Sequence, residues 1–185
     1  MAKRQEQAAP DAVMTRIGQV VMLHHAGDRE EARNRFLQLW AEIGEDGDAL
    51  HRCTLAHYMA DTQDDPDDEL AWDLRALSAA DELTDERLAA HDDALVVRAF
   101  YPSLHLNLAA DYVKLGRSGA AQVHLGRARG AAGVLGDDGY GEGVKAAIGR
   151  LERRLAEQEP TGGVPEPGPP DGPGGETLGP PRRRS

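Results

Sequence analysis

Proline divides this chain in two. Eight of its eleven prolines lie within residues 158–185, together with seven of its 21 glycines. Fifteen of those 28 residues are therefore Gly or Pro, and the only aliphatic side chains among them are Val164 and Leu178. Such a segment buries too little surface to offset its ordering entropy. It predicts a disordered, partly polyproline-like tail that ends in Arg182, Arg183 and Arg184. The preceding 157 residues hold only Pro10, Pro66 and Pro102. Each is read as the start of a helix, where the missing N–H costs least.

Between these prolines the chain is rich in Ala, Leu, Glu and Arg, good helix formers, and no alternating β-branched run supports a strand. Apolar residues recur at three- and four-residue spacing. Val13, Ile17, Val20, Val21 and His24 form one stripe over 11–25. Ala32, Phe36, Leu39, Trp40 and Ile43 form another, with Asp28 placed as N-cap and Gly44 just past the end. Asp48 is placed to cap a third helix over 49–60, and further helices are predicted over 69–80, 94–115 with an interruption at Pro102, 120–132 and 142–157. Residues 81–93 fit either a short helix or an ordered loop. The fold class is thus all-α: stacked antiparallel hairpins over 11–157, between a flexible start (1–10) and the tail (158–185).

The spacing also repeats. Leu108, Ala109, Tyr112 and Gly116, followed by Ala121, Leu125 and Ala128, resemble the tetratricopeptide repeat pattern over 102–135, although Gly133 stands where that pattern has proline. Weaker copies fall at 13–46 (Leu23, Gly27, Ala32, Phe36, Leu39) and 49–85 (Leu55, Ala56, Met59, then Ala71 after a short insertion). The helix over 142–157 is read as the cap on the last copy. The resemblance implies a short right-handed superhelix whose first helices line a concave groove. By position, that groove takes Met14, Ile17, Val21, His24 and His25 from the first copy. The second gives Leu50, Cys53, Thr54, His57 and Asp61, and the third Ser103, Leu106, Asn107, Ala110 and Lys114. In the family an asparagine at the Asn107 position holds a bound peptide's backbone; bonding to the neighbouring repeat is the alternative role. Lys114 is placed to meet a carboxylate, with no second basic residue beside it to complete a clamp.

Charge and chemistry narrow the function further. The net charge is −11, with 32 acidic against 21 basic residues, which argues against general nucleic-acid binding. Residues 61–93 alone carry 13 acidic and 2 basic side chains, whereas 94–157 carry 6 and 9. A lone Cys53 allows no intramolecular disulfide, no apolar run reaches bilayer length, and no cleavage site follows the apolar patch near the start. These features predict a cytoplasmic chain without a membrane segment.

No catalytic constellation emerges. The seven histidines show no i,i+4 pair. Asp64-Asp65-Pro66-Asp67-Asp68 matches DDxxD, but Pro66 disfavours the helix that would align those carboxylates, and neither central Gly nor closing Glu suits a calcium loop. Gly139-Tyr140-Gly141-Glu142-Gly143 follows no strand and lacks the Lys of a phosphate loop, so it is read as a turn. Cys53 and His57 lie one turn apart, yet the thiol sits among apolar positions. The sequence thus predicts no enzyme, no metal and no cofactor, but an adaptor that binds a peptide or helix of another protein. The alternative is a regulatory helical domain sensing a small ligand or signalling peptide. Partner identity and oligomeric state are open.

Overall fold

The computed structural model describes the backbone over residues 2–87 and 94–158, and side chains over 12–83 and 99–158. The predicted tail, from 159 onward, lies outside the described residues, as does the 88–93 part of the ambiguous segment. Seven α-helices and one short 3-10 turn make up the described chain: α1 (Ala2–His25), α2 (Arg29–Ile43), α3 (Ala49–Ala60), α4 (Pro66–Arg87), α5 (Ala94–Lys114), α6 (Ser118–Ala131) and α7 (Gly139–Gln158). No strand occurs among the described residues. The fold is all-α.

Several expected helix starts are corrected. Helix α1 begins at Ala2 rather than Asp11; the run from Ala2 to Ala9 consists of strong helix formers, and Pro10 lies inside the helix. Pro102 also lies inside a helix, α5, and is buried among neighbours that hold the turn together. Pro66 alone occupies a first position. There Asp65 caps α4, its Oδ1 accepting from the Asp67 N–H at 2.8 Å. Helix α4 then runs to Arg87, settling 81–87 as helix. The last helix starts at Gly139, three residues early, so the predicted Gly-rich turn is its first turn.

The caps divide similarly. Asp48 accepts from the N–H groups of Leu50 (2.9 Å) and His51 (3.2 Å), whereas Asp28 occupies the cap position of α2 without a side-chain bond. Gly27, Gly44 and Gly116, where the pattern breaks, all have positive φ (101°, 71° and 69°), a region in which a Cβ is strained.

Consecutive helices pack as antiparallel hairpins, α1–α2, α3–α4 and α5–α6, with α4 also against α5 and α7 against both α5 and α6. Helices α1 and α3 also touch directly. Three apolar clusters follow this order. Ile17, Val20, Phe36, Leu39, Leu55 and Met59 join α1, α2 and α3. The α3–α4 seam closes on Ala49, Ala56, Ala76, Ala79 and Ala80, which lets the backbones approach. The third cluster seats Val144, Ile148 and Leu155 of α7 on Ala109, Ala121, Leu125 and Ala128. Trp40 and Trp72 meet edge to face at 5.0 Å where the first two clusters join.

The acidic connection between α3 and α4 is anchored rather than merely solvated. Asp64 accepts from Arg29 and Arg33 at 2.7 Å each, and Arg33 also donates to the Thr62 carbonyl. The bond from Arg33 holds the Asp64 carboxyl below the usual carboxylate range, with Arg29 adding to it. Asp67, Asp68 and Glu69 occupy the first turn of α4, where the helix dipole favours negative charge. Among the described residues, no helix is long and apolar enough to cross a membrane.

Candidate functional site

Helix α3 presents Leu50, Thr54, His57 and Asp61 at 4-3-4 spacing, a single stripe that runs from apolar to charged. Helix α5 offers Phe100, Ser103 and Asn107 in the same manner. Between them lies a cavity of about 590 Å³ lined by Met14, Leu50, Thr54, His57, Tyr58, Ala99, Phe100, Ser103 and Tyr140. Its walls come from α1, α3, α5 and α7. Tyr140, 57% exposed, brings an aromatic ring from the start of α7.

Behind His57 lies a buried polar layer. Its Nδ1 is 3.6 Å from Asp73 Oδ1 and 3.4 Å from Asn107 Nδ2. Burial alone would lower the imidazole pKa, but the bond to Asp73 and the charges of Asp73 and Asp61 leave it raised overall. Asp73 and Asp111 are each 1% exposed. Burial first, then the charges of Asp73 and Glu69, push the Asp111 carboxyl up to about 8, so this pair of carboxyls holds a proton at neutral pH. Lys114 answers from the edge: its Nζ donates to both oxygens of Glu69 at 2.5 and 2.6 Å and lies 3.7 Å from Asp111.

The predicted site residues separate accordingly. His57 and Ser103 line the cavity. Asn107 reaches His57, the bond between neighbouring hairpins that was its alternative role. Ala110 and Asn107 border a shallower hollow of about 280 Å³ against Ala147, Leu151 and Arg154 of α7. Lys114 meets a carboxylate of the chain itself, that of Glu69. His24 lies in the last turn of α1, half-buried, with Nδ1 unbonded, and does not line the cavity. Cys53 is a correction. It is wholly buried in the α3–α4 seam, and burial, aided by Asp73, pushes its thiol up to about 12.

Asp73, Asp111, Phe100 and Tyr140 escaped the sequence reading. A charged residue on an otherwise apolar stripe was the available signal for Asp73, which follows Leu70 by three and precedes Ala76 and Ala80. Tyr140 carried no periodic signal at all. The Asp73–His57 arrangement orients an imidazole, but Ser103 Oγ donates to the Phe100 carbonyl at 2.9 Å, away from any base role. A second histidine pair, His105 and His124, brings two Nδ1 atoms to 3.1 Å. No three His, Cys, Asp or Glu side chains converge as a metal site among the described residues. Compared with protein-family models, with curated proteins and with solved structures, the chain matches none.

Proposed function

We propose that this chain is a protein-interaction module of tetratricopeptide type, binding a peptide or helix of a partner in the groove between the first helices of its hairpins. One observation carries the reading. Five residues placed on the groove by repeat position, Met14, Leu50, Thr54, His57 and Ser103, line a single cavity between α1, α3 and α5. Signature residues support it from the other side: Leu108, Ala109, Ala121 and Ala128 are wholly buried, and Gly116 has φ 69°. The lining is apolar and aromatic with a few hydrogen-bonding groups, the composition of a peptide- or ligand-binding surface.

The second reading, a sensor for a small ligand, is favoured by the cavity's size, which lies within the range of small-molecule sites, about 300–1,000 Å³. One experiment separates them. Thr54→Trp fills the cavity and Tyr140→Ala opens its rim. A protein captured by the native chain should be lost with both variants while circular dichroism stays helical, and a synthetic peptide from that protein should compete. Capture unchanged by both variants would sink the groove reading. Thermal stabilisation by small molecules, without any peptide binding, would favour the sensor.

A further inference from the structure

The cavity is chemically polarised, and its polarity specifies an occupant. On α3 the stripe Leu50, Thr54, His57, Asp61 spans about 16 Å at 1.5 Å per residue. Met14, Leu50, Phe100 and Tyr140 supply the apolar part, and His57 closes the other. Beyond His57 stand Asp61, Asp73, Asp111 and Glu69. Asp73 Oδ1 pairs only with His57 Nδ1, at 3.6 Å and so beyond normal hydrogen-bond length, and Asp111 Oδ2 makes no hydrogen bond, although both residues are 1% exposed. Buried polar atoms are nearly always bonded, so two carboxylate oxygens without a full hydrogen bond in one layer are unusual.

The charge balance points the same way. Lys114 and His57 contact this layer, Lys114 being engaged by Glu69, and the His24 ring acts on Asp61 from α1. Even with His57 charged and one proton held by the Asp73–Asp111 pair, Asp61, Asp73 and Glu69 outnumber Lys114 and His57. Asp61 is exposed and has no arginine or lysine bridge among the described residues.

We propose that the groove's occupant carries a cationic side chain, arginine or lysine, delivered to the His57–Asp61 end, beside an aromatic or aliphatic residue seated between Phe100 and Tyr140. This rests on the groove reading. A guanidinium offers donors to the exposed Asp61 carboxylate, and the buried carboxyls behind His57 add to the negative charge that it meets there.

The test uses the full chain and three blocked dipeptide amides followed by NMR: phenylalanyl-arginine, its uncharged isostere with citrulline, and phenylalanyl-glutamate. The arginine peptide should bind about tenfold more tightly than the citrulline one, the effect of one charge-assisted bond. Asp61→Asn, at an exposed position, should remove most of that preference. Equal affinity of the arginine and citrulline peptides, with both shifting the His57 and Tyr140 resonances, overturns the cationic occupant and keeps the groove. Tighter binding of the glutamate peptide overturns it as well. No shift with any of the three removes both readings.

Discussion

Helix α5 buries polar groups on two faces, and the faces behave oppositely. Toward α3 and α4 it presents Asn107, Asp111 and Lys114; toward α6 it presents His105, Ala109 and Tyr112. On the first face His57, at the α3 side, has a raised pKa because Asp73 holds its Nδ1. On the second, burial and then His124 and Arg127 push His105 down to about 4. Both histidines are enclosed by the same kind of helix packing. Burial lowers both pKa values; the carboxylates of Asp73 and Asp61 reverse this at His57, whereas at His105 the neighbouring His124 and Arg127 add to it. The first face stores negative charge beside a cavity; the second is a neutral histidine pair capped by the Tyr112 ring, 5.4 Å from His124.

The largest effect should come from breaking the second face sterically. Ala109 is wholly buried where α5 crosses α6, so Ala109→Leu forces the helices apart and should cost about 3 kcal/mol in urea unfolding. Ala110→Leu, one residue on at the shallow hollow by α7, should cost under about 0.5 kcal/mol. Similar costs at both positions would show that α5 and α6 do not close on small residues.

Acid should break the same face chemically. His105 titrates near 6.5 when unfolded and about 4 when folded, so the unfolded chain takes up its proton first. Its stabilising contribution is present above 6.5 and is lost as pH falls toward 4. Unfolding free energy should drop by about 2–3 kcal/mol across that window. His105→Leu should flatten the drop. A variant that keeps the full acid dependence would place the titration elsewhere.

How much of this was legible in the sequence differs between the faces. Ala109, Ala121, Ala128 and Gly116 could be read because close helix packing needs small residues and a helix end needs a left-handed one. Asp73 and Asp111 could not: a charged residue is ordinarily read as a solvated face, and only the third dimension shows two carboxyls sharing one layer. Pro102 misled for a related reason, since a local rule marks a helix start while the surrounding core keeps the helix continuous. Leu50, Thr54 and His57 on α3 and Met14 on α1 fall on one cavity, as their spacing predicts, but Tyr140 comes from α7, which no periodic signal joined to it.

The first face should respond to alkali instead. The raised Asp111 pKa means that the folded state holds a proton the unfolded chain has released, so this contribution is present below 3.8 and lost as pH rises through about 8. Asn mimics the protonated carboxyl. Asp111→Asn should therefore match the native chain near pH 5 and exceed its stability by about 1–2 kcal/mol near pH 9. A variant destabilised at both pH values would mean that Asp111 works as a carboxylate toward Lys114, not as the proton holder beside Asp73.

Lys114 gives the smallest effect and the sharpest distinction. Its side chain is 47% exposed, and its two short bonds to Glu69 join groups near the surface, so Lys114→Ala should cost less than about 1 kcal/mol near neutral pH. The direction with pH is the informative part. Removing the one lysine beside Asp111 strengthens the hold of the carboxyl pair on its proton, so the alkaline loss of stability should continue to higher pH than in the native chain. Were Lys114 reserved for a partner's carboxylate, its removal would leave that upper limit unmoved and would abolish binding of an acidic peptide. The Glu69 pairing predicts the reverse: the upper limit shifts, and whatever acidic peptides bind continue to do so.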